Sequence, residues 1–191
     1  MKKLIVDVYY YPPEDYRGYK VVGVLVDEWD SSTASEIISV VSSDKSFSSY
    51  VSGKFKEREL PCINRLLSNL NPLIKRDIDT IIIDGYVDLC NGVEKIDTLG
   101  TALYESLSRC GYGHISVIGV AKSKYRDESY MRNCIEVMRG KESIIPLYVS
   151  STGWIKPEEA AEKIKIMYGD YKLPDMIKLA DKETKVGASG F

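Results

Sequence analysis

Three acidic residues stand where an acid is either costly or conspicuous. Asp7 interrupts an apolar run (LIVDVYYY, residues 4 to 11), and Asp84 closes a second run (DTIIID, 79 to 84) immediately before Gly85. Glu59 opens a segment in which Leu60, Ile63, Leu66, Leu67 and Leu70 recur at helical spacing. An acid within an apolar strand is unfavourable unless it is paired or bound to a cation. Mg²⁺ prefers carboxylate oxygens and water, and metal-assisted phosphodiester cleavage needs carboxylates that converge from different elements. Each residue also has a simpler reading. Asp84-Gly85 makes an ordinary turn, Glu59 complements a helix N-terminus, and Asp7 sits well on an exposed edge. Spacing alone does not choose between these.

The elements that must position the acids follow from patterning. Residues 4 to 11, 19 to 28 and 36 to 42 are rich in β-branched and aromatic residues and are separated by short polar connections, so they predict a three-stranded antiparallel meander. Pro12-Pro13 ends the first strand. An amphipathic helix is expected over about 57 to 70, a strand covered on both faces over 79 to 84, and a second helix from Asp97 to Arg109. Strands follow at 115 to 120 and 144 to 149, the latter on an edge because of Pro146. Pro157 with Glu158 and Glu159 starts a helix running to about Tyr168, and a last helix begins near Lys172-Leu173-Pro174. This order predicts an α/β fold, a mixed sheet flanked by helices.

With 191 residues, 44% of them hydrophobic, the chain suits one domain over residues 1–185, followed by a frayed tail at 186–191. A net charge of −2 excludes a global positive field, so contact with a polyanion must be local. Cys62, Cys90, Cys110 and Cys134 form no CxxC or Cys/His pattern for zinc. Free, mostly buried thiols are expected, which fits a cytoplasmic protein. Asp7 breaks the opening apolar run after three residues, which argues against a signal peptide, and no run approaches the roughly 18 apolar residues of a membrane span. His114, the only histidine, reads as a surface or turn residue. Tyr9-Tyr10-Tyr11 reads as packing.

Longer words in the sequence carry more. Tyr50 to Pro61 (YVSGKFKERELP) resembles, without a gap, the endonuclease V segment YIPGxxxFREYP, whose glutamate metal ligand falls on Glu59. Residues 81 to 85 (IIIDG) are similar to that family's strand ending in Asp-Gly, 118 to 123 (IGVAKS) to its IGVAK(S/K) motif, and Asp7-Val8 to its first catalytic aspartate. Pro146 to Val149 and Tyr171 to Pro174, with Ala180-Asp181 behind, resemble its PL(F/Y)V and Y(K/R)LP…AD segments. The similarity runs in order from about residue 4 to 184.

The resemblance implies a ribonuclease-H-like fold and Mg²⁺-dependent nicking, with Mn²⁺ as a substitute, near a deaminated purine such as inosine in DNA or RNA. Asp7, Glu59 and Asp84 would hold the metal, and Lys122 would place positive charge near the scissile phosphate. Lys124 and Arg126 would extend a local phosphate track. Tyr50 would stack or wedge against bases, while Gly53, Gly85 and Gly119 would let backbone approach an extruded base. The protein is expected to act as a monomer, with no membrane partner. The match departs from the family twice. A family histidine two residues beyond Asp84 is Tyr86 here, and a second, in a (T/V)GHR motif beside the metal, is replaced within Ser151 to Lys156 (STGWIK). The family's wedge proline is Ser52. Asp88 and Asp181 are candidate additional acids, Asp181 reading more simply as a solvated helix residue. Two alternatives to the endonuclease remain: a nucleic-acid-binding module with weakened catalysis, and a phosphoryl-transfer enzyme acting on a small nucleotide.

Overall fold

The computed structural model describes residues 1–11, 18–43, 55–140 and 144–187. Its frame is a seven-stranded mixed sheet. Strands β1 (Lys2–Tyr10), β2 (Tyr19–Val26) and β3 (Glu36–Ser42) form the antiparallel meander expected from sequence. Helices α1 (Phe55–Asn69) and α2 (Pro72–Asp77) then lead into β4 (Ile78–Asp84), which pairs parallel to β1. A small hairpin, β5 (Leu89–Cys90) with β6 (Lys95–Ile96), precedes α3 (Leu99–Arg109). Strand β7 (Ser116–Ala121) pairs parallel to β4. Strands β8 (Ile135–Val137) and β9 (Leu147–Thr152), then helices α4 (Pro157–Ile166) and α5 (Asp175–Lys185), complete the order. Across the sheet the strands run β3-β2-β1-β4-β7-β9-β8.

Alternation along the central strands divides the core in two. Leu4 and Val6 of β1, with Ile81 and Ile83 of β4, pack against Ile63, Leu66 and Leu67 of α1 and Leu103 and Leu107 of α3. Ile5, Ile82, Ile118 and Val120 face the other way, against Ala160 and Ile164 of α4 and Ile177 and Ala180 of α5. Because both faces are covered, β1 and β4 are apolar on successive residues rather than on alternate ones. Strand β3 lies at the edge, with Ile38 and Val40 packed inward and Ile37 and Val41 exposed.

The expected strand at 144 to 149 is shifted to Leu147–Thr152 and lies inside the sheet between β7 and β8, not on an edge. Pro146 precedes the first ladder residue, so its missing N–H removes no bond from the sheet. The true edge is β8, whose three residues are too few to leave a periodic signal. Helix α2 also escapes a periodicity search, at six residues, although Asn71 caps it and Pro72 takes its first position. All four cysteines are free, but only Cys62 is buried and Cys110 is exposed. No described helix is long and apolar enough to cross a membrane.

Candidate active site

Two neighbouring parallel strands deliver the first two acids. The last paired residues of β1 and β4 are Val6 and Ile83, so Asp7 and Asp84 stand side by side one step further on. By alternation both point to the face covered by α5, as Ile5 and Ile82 do. Asp84 pairs with Val120 of β7, and Lys122, two residues beyond Val120, returns to that same face. Its ammonium donates a 2.6 Å hydrogen bond to Asp84 Oδ2. From α5, Ile177, Ala180 and Asp181 close the other wall. The cleft so bounded is narrow, about 10 Å³, room for one water-sized sphere and far too small for a base.

Glu59 arrives from the opposite face. Helix α1 packs on the other core, and its first turns are tied to the end of β1 by Tyr10, whose hydroxyl donates to the Arg58 carbonyl at 2.9 Å and lies 3.5 Å from Cys62 Sγ. The Arg58 guanidinium stacks 3.3 Å from the centre of the Tyr10 ring. Tyr9 and Tyr11 meet edge to face at 5.7 Å, so the tyrosine run is packing, as expected. Glu59 does not line the cleft but reaches the strand ends closely enough to sense both aspartates.

Electrostatics bind the four acids together. Burial, then the charges of Asp181 and Asp84, raise the Asp7 carboxyl to about 6. Burial, then the charges of Asp7 and Asp84, raise Glu59 to about 8. Burial works against the Lys122 ammonium, but the Asp84 hydrogen bond and the charges of Asp84, Asp7 and Asp181 outweigh it and hold its pKa above the ordinary lysine value. The site thus carries more negative charge than it can comfortably ionise. Among the described residues, Lys122 counters it by direct contact with Asp84 and Lys185 by direct contact with Asp181.

Other expectations are redistributed. Asp181, which read more simply as a solvated helix residue, is at the site, although it also pairs with Lys185 at 2.7 Å. Its register four residues after Ile177 on the buried face of α5 was the available signal. Asp88 does not fold back toward Asp84. It accepts from Asn133 Nδ2 at 2.6 Å and faces Lys95 at 3.4 Å. Lys124 is exposed and pairs with Glu128 at 2.7 Å; Arg126 is exposed beside Asp127. Gly85 has φ +113° and open space where a Cβ would be, compatible with close approach from outside. Gly119 is buried and faces protein: an added Cβ would lie 2.5 Å from the Gly85 carbonyl oxygen, so the missing side chain serves strand-to-loop packing. Tyr50, Gly53 and Ser52 lie outside the described residues, as do residues 188–191 of the expected tail.

The two departures from the family pattern prove unequal. Tyr86 is at the site's rim, donating to the Ser123 carbonyl at 2.7 Å. Trp154 lies at the opposite end of the strands. Thr152 pairs with Val117 near the start of β7, and the Trp154 indole donates to the Gly113 carbonyl at 2.9 Å. The segment Ser151 to Lys156 is therefore not beside the carboxylates, and what it lacks cannot alter them directly. His114 is exposed in the turn before β7, next to Tyr112, as read from sequence.

Comparison with known proteins agrees with this fold. The catalytic domain of human endonuclease V superposes with a TM-score of 0.69 at 16% identity, covering 96% of this chain and 80% of that one. Endonuclease V from Ciona intestinalis, solved with a 23mer DNA containing an inosine followed by a ribo-adenosine, gives 0.68 at 15% identity over 98% and 85%. The Bacillus subtilis enzyme gives 0.62 at 17% over 97% and 79%. The fold is thus ribonuclease-H-like, as the first resemblance implied. No curated protein sequence matches the chain. The endonuclease V family model matches residues 5–182, and on that match, spanning nearly every element that builds the site, the chain belongs to the endonuclease V family.

Proposed function

We propose that the protein is an endonuclease that hydrolyses a phosphodiester bond near a deaminated or otherwise abnormal base, of the inosine type, in DNA or RNA. The observation that carries this reading is the convergence of Asp7, Asp84 and Asp181 with Lys122 at the ends of adjacent strands, with Glu59 close enough for its charge state to depend on theirs. A set of oxygen donors that raise one another's pKa suits a hard divalent cation such as Mg²⁺, or Mn²⁺ in its place. Asp7, Glu59 and Asp84 would hold it, with Asp181 adjoining. The set is not preformed: among the described residues, no three His, Cys, Asp or Glu side chains stand as a closed metal-binding group. When bound, the metal supplies charge that polarises the phosphate and lowers the pKa of the attacking water.

The chain's own residues do the rest. Asp7 and Asp84 fix the reacting centre to the sheet rather than to a loop. Lys122, held on Asp84, keeps a positive charge at the mouth of the cleft, where it offsets negative charge developing on the phosphate. Burial keeps Glu59 and Asp7 partly protonated until a cation arrives, so the acids need not repel one another beforehand. The cleft is too narrow for a base, so base recognition lies outside it.

The test is nicking of labelled single- and double-stranded oligonucleotides, with and without one inosine, in Mg²⁺ and Mn²⁺. Site-selective nicking that falls at least about 100-fold in both Asp84→Ala and Glu59→Ala is expected. Binding to the inosine strand without nicking would instead favour a recognition module.

A further inference from the structure

The hydrogen-bond ladder of β7 ends at Ala121, which pairs with Tyr148, so the carbonyls of Lys122 and Ser123 leave the sheet without strand partners. Both are nevertheless bonded. Lys172 Nζ donates to the Lys122 carbonyl at 2.8 Å, and Tyr86 Oη donates to the Ser123 carbonyl at 2.7 Å. The two donors come from different elements, one following β4 and the other preceding α5. Two adjacent peptide groups held by side chains on separate elements cannot reorient without breaking at least one bond, and Lys122 is the residue whose ammonium rests on Asp84.

Each donor is itself supported. Tyr86 meets Tyr125 edge to face at 5.7 Å, which anchors its ring against the same loop. The Tyr171–Lys172 peptide is cradled by Arg139 and Gly140. Arg139 is buried and, among the described residues, hydrogen-bonds no carboxylate. It donates instead to the carbonyls of Tyr171 and Met167 at 2.8 and 2.5 Å and to those of Gly169 and Lys172 at 3.0 and 3.3 Å. Gly140, at φ +85°, lies so close that an added Cβ would stand 2.6 Å from the Lys172 nitrogen.

We propose that Tyr86 and Lys172 are positioning residues that clamp the Lys122–Ser123 backbone and thereby fix the Lys122 ammonium on Asp84. The inference deepens the endonuclease reading and rests on it for the role of Lys122. Tyr86 stands where the family has a histidine, so this chain has at that position a hydroxyl that acts through the lysine loop in place of an imidazole.

Two readouts test it on the full-length protein. The first is nicking of an inosine-containing single strand in Mg²⁺ by Tyr86→Phe, Lys172→Met and Lys172→Arg, and by Tyr86→Phe and Lys172→Met each combined with Lys122→Met. The two single losses should lower kcat roughly 3- to 30-fold with KM within about twofold, since geometry and not binding is disturbed. Lys172→Arg should recover most of the loss, because guanidinium can donate to the same carbonyl. In the Lys122→Met background neither change should slow the enzyme further, whereas effects that multiply would overturn the clamp. The second readout needs no catalysis: the rate of Lys122 amine labelling, followed by mass spectrometry against exposed Lys165. That ratio should rise severalfold in Tyr86→Phe and Lys172→Met, and an unchanged ratio in both overturns the proposal whatever the nicking. Raised labelling in a protein that does not nick would sink the endonuclease reading and leave the clamp standing.

Discussion

At the scale of single residues, the site's behaviour is set by acids that resist ionising. The folded-state pKa values of Asp7 and Glu59 lie above their ordinary values of 3.8 and 4.5, at about 6 and about 8. The native state therefore holds protons that the unfolded chain releases, and stability must fall as pH rises between about 4 and 8, then level off. For Asp7, half-buried, the loss is about 2 kcal/mol after allowance for solvent screening. Thermal melts at pH 5, 6.5 and 8 in chelator should show a declining midpoint in the wild type and a flatter profile in Asp7→Asn. Adding Mg²⁺ at pH 8 should recover much of the decline. A midpoint that climbs from pH 5 to pH 8 would show that the acids are not mutually strained. How far residues could be read from sequence follows the same logic. Asp7 and Asp84 drew notice because an acid in an apolar strand is anomalous, but only the motifs around them chose a metal site over a turn or an edge. Asp181 was only a candidate, since an aspartate on an amphipathic helix looks solvated until the helix is placed on the sheet.

Elements were legible in proportion to their length. Strand β3 was expected over 36 to 42 and forms there, and α1 and β4 lie within two residues of expectation. The three-residue β8 and the two-residue strands β5 and β6 carry too few positions for alternation to register, and their pairing is decided by neighbours far away in sequence. Trp154 shows the complementary failure: a motif position was assigned to the metal by its wording, and strand direction sends it to the other end of the sheet. The packing of β7 under the loop after β4 supplies a sharper test. A Cβ at Gly119 would meet the Gly85 carbonyl oxygen at 2.5 Å and the Val87 nitrogen at 2.9 Å, both backbone atoms that cannot swing aside. Gly119→Ala should therefore cost about 2–4 kcal/mol in urea unfolding and displace Asp84 with it. A loss below about 0.5 kcal/mol would mean that the loop yields freely.

For the molecule as a whole, the net charge of −2 limits how a polyanion is held. Among the described residues near the site, Lys124 is paired with Glu128 and Lys122 with Asp84, and Arg126 is exposed. Binding of an inosine-containing strand, followed by fluorescence anisotropy from low to moderate salt, should give a slope of log K against log salt between about −1 and −3. A slope steeper than about −5 would reveal a phosphate-binding face that the described residues do not show.

The side-by-side placement of Asp7 and Asp84 has an architectural consequence. Their spacing is set by the pitch between hydrogen-bonded strands, about 4.8 Å, a property of the peptide group common to every sheet. Lys122 is one strand further along the same ruler. The reacting centre is thus graduated by backbone chemistry that no side-chain substitution can rescale. What lies just beyond the strand ends is held by other means, by close packing at Gly119 and by side-chain bonds to the Lys122 and Ser123 carbonyls, so a substitution there can tilt the acids on the ruler but not respace its marks.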